Sequence, residues 1–229
     1  MIEDVKPGSA PDEGWLIHDL VADRGMTLLL GLPNTFKSFI ALDIALSIAS
    51  GRSFHGHPTT QGGVCFVSGQ GALNRLSQRV QSWCAVNNVP HEELDVSLVE
   101  ESVHLDVEQD VTRFIRSIPS SPSLVVFDTL SACMENNLWT GGNVEKAIKG
   151  YRAIQTDCET AVMLVQYEMI RPDEPRLPQK LLDDSKMILT VTRPRDEKSA
   201  TMRVANGSSW REISLLPVKS GSSIALVTA

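Results

Sequence analysis

No apolar run in this sequence approaches the roughly 20 residues that a membrane-spanning helix needs. The first residues are acidic, so the chain is expected to carry no signal peptide and to work in the cytoplasm. Cysteine is scarce: Cys65, Cys84, Cys133 and Cys158 are scattered, without CxxC pairing, and most sit in apolar contexts. That spacing argues against zinc ligation or a disulfide framework and predicts reduced thiols in a core. Positive charge is also short, with 21 Lys and Arg against 28 Asp and Glu and a formal net charge of −7. A globally basic nucleic-acid binder is thereby disfavoured, whereas a local basic patch is not. Arg171, Arg176, Lys180, Lys186, Arg193, Arg195 and Lys198 form such a stretch. Six acidic residues between 173 and 197 are interleaved with them, which is also the composition of a solvated mixed-charge surface. No segment repeats and no linker splits the chain. Residues 1–14, rich in Pro, Gly and acids, are expected to be a loose arm, and 15–229 a single domain.

What is present is an alternation of apolar strands and amphipathic helices. Strands are predicted near 26–30, 64–68, 96–99, 124–127 and 161–165, and helices near 37–50, 72–86, 107–118 and 143–158. In the helix near 72–86, Leu73, Leu76, Val80 and Cys84 fall on one face. The last third reads as β, at 186–192, 199–205, 210–216 and 223–227. Fully apolar strands between helices imply an α/β fold with a mostly parallel central sheet buried on both faces, here with a β-rich C-terminal extension.

Between the first strand and the first long helix stands Gly31-Leu-Pro33-Asn34-Thr35-Phe36-Lys37-Ser38, followed by Phe39. This is a phosphate-binding loop in all but one position: Phe36 replaces the second glycine of Gly-x4-Gly-Lys-Ser/Thr. A triphosphate demands many N–H donors in a concave turn, a helix N-terminus and a mobile cation. Gly31, Pro33, Asn34, Thr35, Phe36, Lys37, Ser38 and Phe39 are therefore the expected ATP-binding residues, with Lys37 on the β- and γ-phosphates and the Ser38 hydroxyl on Mg²⁺. Phe36 adds bulk and takes away no backbone N–H. Leu124-Val-Val-Phe-Asp128 reads as the partner strand, presenting Asp128 to Mg²⁺ beside Ser38. Gln166 ends a third strand, placed either to sense the γ-phosphate or to hydrogen-bond loop backbone.

With these residues in hand, the chain resembles the RecA-fold P-loop ATPases, and most closely the RepA-like hexameric replicative helicases of phages and plasmids. The similar segments are Trp15-Leu-Ile-His-Asp-Leu, the run from Lys37 to Gly56, Ser68-Gly-Gln70-Gly71 with Arg75 and Arg79, Asp128-Thr-Leu and the helix start at Asn143. The resemblance spans about residues 15–207 and implies a three-layer RecA-like fold that binds ATP and Mg²⁺ between subunits of a homo-oligomeric ring, a hexamer by preference. It also implies single-stranded DNA in the channel and a role in DNA replication or recombination.

The departures fall on catalysis. The family's Gly-Glu-Gly supplies a water-activating glutamate where this chain has Gln70, and losing a general base costs about 10²–10⁴-fold. Gln166 occupies a position that is often His. A family Lys-x-Arg pair is similar to Arg203-Val-Ala205, which leaves Arg203 as the trans-acting cation, with Arg176 or Arg193 as replacements for the one lost. Glu135 and Glu168 are the candidate substitutes for Gln70. A catalytically silent accessory protein is the competing expectation. His55 and His57 are read as a solvated turn rather than a metal site, and Trp83, Trp139 and Trp210 as core or interface residues, with Trp139 the best placed for a loop that contacts DNA or a neighbouring subunit.

Overall fold

The computed structural model describes residues 14–69, 71–100, 103–118, 121–136, 142–167, 177–206 and 209–229, of which 205–206 and 209–210 are described by backbone alone. Eleven strands and five α-helices are assigned among them. In chain order they are β1 (Trp15–Ile17), β2 (Val21–Ala22), β3 (Met26–Gly31), α1 (Lys37–Ser50), β4 (Val64–Ser68), α2 (Leu73–Asn87), β5 (Val96–Val99), α3 (Glu108–Ser117) and β6 (Leu124–Asp128). There follow α4 (Asn143–Asp157), β7 (Ala161–Tyr167), α5 (Gln179–Asp183), β8 (Ser185–Thr192), β9 (Ala200–Asn206), β10 (Ser209–Ser220) and β11 (Ser223–Thr228).

Nine strands form one sheet in the order β11-β10-β9-β8-β3-β7-β6-β4-β5. From β8 to β5 neighbouring strands run parallel, and β9, β10 and β11 are added antiparallel. The expected mostly parallel sheet with a β-rich extension is thus observed. Alternation along each central strand divides the core in two. Leu29, Val126, Met163 and Val165 join α1 and α2 on one face, while Leu28, Leu30, Val125, Phe127 and Leu164 join α3 and α4 on the other. Both faces being covered explains the unbroken apolar runs. On the antiparallel extension Ala200, Met202 and Val204 face the α1 and α2 core, whereas Arg203 and Glu212 are exposed.

Helix α1 is buried on nearly every side, as its predominantly apolar sequence requires, with Asp43 and Ser47 buried among the apolar residues. On α2 the face read from the sequence is corrected at its start: Leu76, Val80 and Cys84 are buried, but Leu73 is 37% exposed. Leu73 occupies the first helical position. All four cysteines are buried and free. Among the described residues no helix is long and apolar enough to cross a membrane.

Candidate nucleotide site

Parallel pairing sets the carboxyl ends of the central strands side by side. Gly31 of β3 is in register with Tyr167 of β7 and Val191 of β8, and Asp128 of β6 with Ser68 of β4 and Val165 of β7. The phosphate-type loop leaves this edge through a gap that only glycine fits. A Cβ on Gly31 would stand 2.5 Å from the Val191 carbonyl oxygen and 2.9 Å from Thr35 Oγ1.

The loop closes on the Leu32 carbonyl oxygen, which accepts hydrogen bonds from Thr35 Oγ1 at 2.8 Å and Lys37 Nζ at 2.6 Å. Asn34 and Phe36 take left-handed φ angles of 64° and 69°, a conformation that costs a non-glycine residue about 1–2 kcal/mol. The Phe36 ring offsets part of this strain. It meets Phe39 edge-on at 5.9 Å, and the Arg193 guanidinium carbon lies 4.2 Å from its centre. A cation–π contact of this kind contributes about 0.5–2 kcal/mol. The Phe36 carbonyl then accepts the N–H groups of Phe39 and Ile40, starting α1.

Lys37 is 5% exposed, and its Nζ also lies 4.6 Å from the centre of the Tyr167 ring. Burial pulls its pKa from 10.5 to about 8, with Asp128 opposing the shift. Across from it Ser38 hydrogen-bonds the Asp128 carboxylate; burial raises the Asp128 pKa, and Ser38, Arg79 and Lys37 act against that rise. Asp128 Oδ1 is shut off from solvent and has no hydrogen-bond partner among the described residues. A buried carboxylate oxygen without a partner is costly unless a cation meets it. Hydroxyl and carboxylate oxygens are the hard donors Mg²⁺ takes, and Lys37 with the loop amides at the head of α1 suits a polyphosphate. The residues present therefore fit both groups.

A cavity at the loop is lined by residues 34–39 with Arg79, Thr129, Tyr167 and Arg193. Of the loop residues expected there, Gly31 and Pro33 are outside the lining and shape the loop instead. Arg79, Thr129 and Tyr167 also line the cavity; the first two stand in the sequence only as parts of the resembling segments, without a role in the site. Arg79 stacks on Phe39, with its guanidinium carbon 4.1 Å from the ring centre, and burial lowers its pKa against the pull of Asp128. Its place on α2 facing β6 is a tertiary fact without a local signal; Tyr167 is signalled only by adjacency to Gln166.

The remaining expected residues are dispersed. Gln166 is 1% exposed, and its Oε1 accepts the Ser131 N–H at 3.1 Å, so it ties β7 to the turn after β6 and does not line the cavity. Arg203 donates through Nε to Glu212 Oε1 at 2.6 Å on the exposed sheet face. Arg193, expected as a trans-acting replacement, stands at the loop of its own chain. Glu135 is exposed, with its backbone N–H on Asp106, and is no part of the cavity lining. Gln70, Trp139, Glu168, Arg171 and Arg176 lie outside the described residues, as do the side chains of Ala205 and Trp210.

His55 corrects the solvated-turn reading. Its side chain is 8% exposed, with Nε2 2.8 Å from Asp43 Oδ2 and Nδ1 2.9 Å from Thr228 Oγ1. Trp83, a core residue as expected, donates to Asp43 Oδ1 at 2.6 Å. Among the described residues no cluster of His, Cys, Asp or Glu is arranged to hold a metal ion.

The sheet order, the loop after β3 and the strand-end aspartate define a RecA-like P-loop NTPase fold. The profile of the AAA domain family matches residues 2–168, and the chain belongs to that family. No curated protein matches the sequence. Among solved structures the chain is similar to one described as an ATPase domain, with a TM-score of 0.62 at 11% identity, covering 89% of this chain and 84% of that one. It is also similar to the RadB recombinase (TM-score 0.60, 18% identity, 84% and 86% covered). A third likeness is to the flagellar accessory protein FlaH from Methanocaldococcus jannaschii (0.57, 14%, 90% of each chain). At these identities the likeness is one of fold, and it agrees with the RecA-fold resemblance read from the sequence.

Proposed function

We propose that this protein binds ATP and Mg²⁺ at the loop of residues 31–39 and acts in an oligomeric ring on or near single-stranded DNA, in replication or recombination, with weak hydrolysis. The observation that carries the nucleotide reading is the convergence of Lys37, Ser38 and Asp128, where a buried Asp128 oxygen is left without a partner among the described residues. Lys37 would exchange the Leu32 carbonyl for the β- and γ-phosphates, and Ser38 and Asp128 would hold Mg²⁺. The bound cation supplies charge neutralisation at the phosphates. Arg79 and Arg193 add positive charge from the same chain. The ring and DNA parts of the proposal rest on the resemblance to RepA-like helicases and on the fold shared with a recombinase.

A second reading, a nucleotide-binding accessory protein without turnover, is favoured by Gln70 and by a cavity lining that contains no carboxylate among the described residues. The similar fold of FlaH, an accessory protein, supports it. Measuring MgATP affinity beside phosphate release, with and without single-stranded DNA, separates the two. DNA-stimulated release supports the first reading and binding without release the second. Failure to bind any nucleotide overturns both.

A further inference from the structure

The one loop position that departs from the glycine consensus carries the aromatic ring on which Arg193 is seated. Phe36 is held in a left-handed conformation, with φ 69°, that glycine adopts freely. A phenylalanine there is strained and gives the loop nothing through its backbone that glycine would not give. What it adds is the ring, wedged between Phe39 and the guanidinium of Arg193.

Arg193 reaches this place through the sheet. Val191 of β8 is in register with Gly31, and the chain continues past Thr192 to the mouth of the loop. There Arg193 Nη1 donates to the Asn34 carbonyl oxygen at 3.3 Å and Nε to the Glu197 carbonyl oxygen at 3.3 Å. These are long bonds on an exposed arginine edge, and neither is enough to immobilise a side chain with so many rotamers. The contact with the Phe36 ring is the third restraint, and it seats the guanidinium over the ring. Arg193 lines the same cavity as Lys37 and Ser38.

We propose that Phe36 is a positioning residue: its ring holds Arg193 over the cavity as a nucleotide contact supplied by the same chain. This inference rests on the proposal that the cavity binds a nucleotide. By the glycine consensus of the motif alone, F36G would be neutral or favourable to the loop. Here F36G relieves backbone strain and still loses affinity, because Arg193 is set free.

The test is MgATP affinity, by calorimetry or a fluorescent analogue, for the unsubstituted protein and for F36G, F36Y, R193A and the F36G/R193A double variant. Thermal unfolding without nucleotide accompanies each. We expect F36G and R193A each to weaken binding about tenfold, on the order of one charge-assisted contact, and the double variant to be no weaker than R193A. Tyrosine keeps the ring, so F36Y recovers the affinity lost in F36G. Relief of the left-handed strain and loss of the ring's packing against Phe39 and the core act in opposite directions, so F36G unfolds close to the temperature of the unsubstituted protein. Unchanged or tighter binding by F36G, or additive losses in the double variant, overturns the inference and leaves nucleotide binding standing. No binding by the unsubstituted protein overturns the inference and the nucleotide-site proposal together.

Discussion

The Lys37 ammonium donates to the Leu32 carbonyl oxygen at 2.6 Å, so the loop folds around its own cation. One carbonyl and the face of Tyr167 stand in for the anions that would otherwise neutralise it. Both are poor replacements for a phosphate, and burial outweighs even the pull of the Asp128 carboxylate, so the Lys37 pKa drops to about 8.

That shift makes a pH prediction with a definite sign. In the unfolded chain Lys37 titrates at its ordinary 10.5 and in the native protein at about 8. Between these values the unfolded chain binds more protons, so Lys37 makes the nucleotide-free protein more stable as pH rises from about 8 to 10.5. Binding runs the other way, because phosphate recruits the charged lysine. MgATP affinity should be flat below about pH 8 and fall above it, by at most about tenfold per pH unit for one linked proton. Titrations from about pH 7 to 9.5 check this, and in K37M the decline above about pH 8 should vanish along with most of the affinity.

Asp128 is expected to matter to the ligand and little to the fold. Its buried carboxylate already bears a desolvation cost that Ser38 only partly offsets. D128N keeps the shape and removes the charge; relief of desolvation and loss of the attraction to Lys37 and Arg79 oppose each other, so the free protein should unfold at nearly the same temperature. Nucleotide affinity in the presence of Mg²⁺ should fall about 10–100-fold. Affinity measured in EDTA should hardly change. A D128N protein that retained its Mg²⁺ dependence would remove Asp128 from the metal site.

The sequence signals that worked are periodic and long. Apolar strands buried on both faces announce β3, β4, β6 and β7, and the loop announces the start of α1 at Lys37. Strands β1 and β2 and the five-residue α5 are too short to show a period, and they escape a reading of the sequence. Half of the cavity is equally hidden. Arg193 meets Phe36 only because β8 lies beside β3, and His55 meets Thr228 across 173 residues because the C-terminal strand returns to the foot of α1. Those contacts are products of topology, and no local pattern encodes them. Gln166 shows the remaining ambiguity: the sequence allows a γ-phosphate sensor or a bond to loop backbone, and only the fold selects the second, on Ser131.

Gly150 is a helix residue whose replacement should go against helix propensity. It lies within α4, where a Cβ would come 2.0 Å from the Leu105 carbonyl oxygen and 3.2 Å from Val111 Cγ2. The Leu105 backbone cannot retreat easily, because its N–H is bonded to the Cys133 carbonyl oxygen at 2.8 Å. Alanine is favoured over glycine by about 1 kcal/mol in an exposed helix. At this crossing of α3 and α4, overpacking should dominate, and G150A should destabilise the protein by about 1–3 kcal/mol net. Urea unfolding measures it, and a stabilised variant would mean that the two helices separate without cost.

The last expectation concerns the step the site is least equipped for. Activating water needs a proton acceptor, and an amide at position 70 keeps hydrogen bonds without accepting a proton. Neither Glu135 nor any other described carboxylate lines the cavity in its place. Q70E should therefore raise phosphate release by about 10²–10⁴-fold, the usual worth of a general base, with MgATP affinity within a few-fold of the unsubstituted protein. Both quantities come from steady-state release and equilibrium binding on the same preparation. An unsubstituted protein that already turns over briskly, and gains nothing from Q70E, would place the base elsewhere. E168Q would then be the next variant to measure, because Glu168 follows Tyr167, which lines the cavity. A rise in release with unchanged affinity would instead show that the loop, the cation site and the phosphate contacts are competent, and that one carboxylate separates binding from hydrolysis.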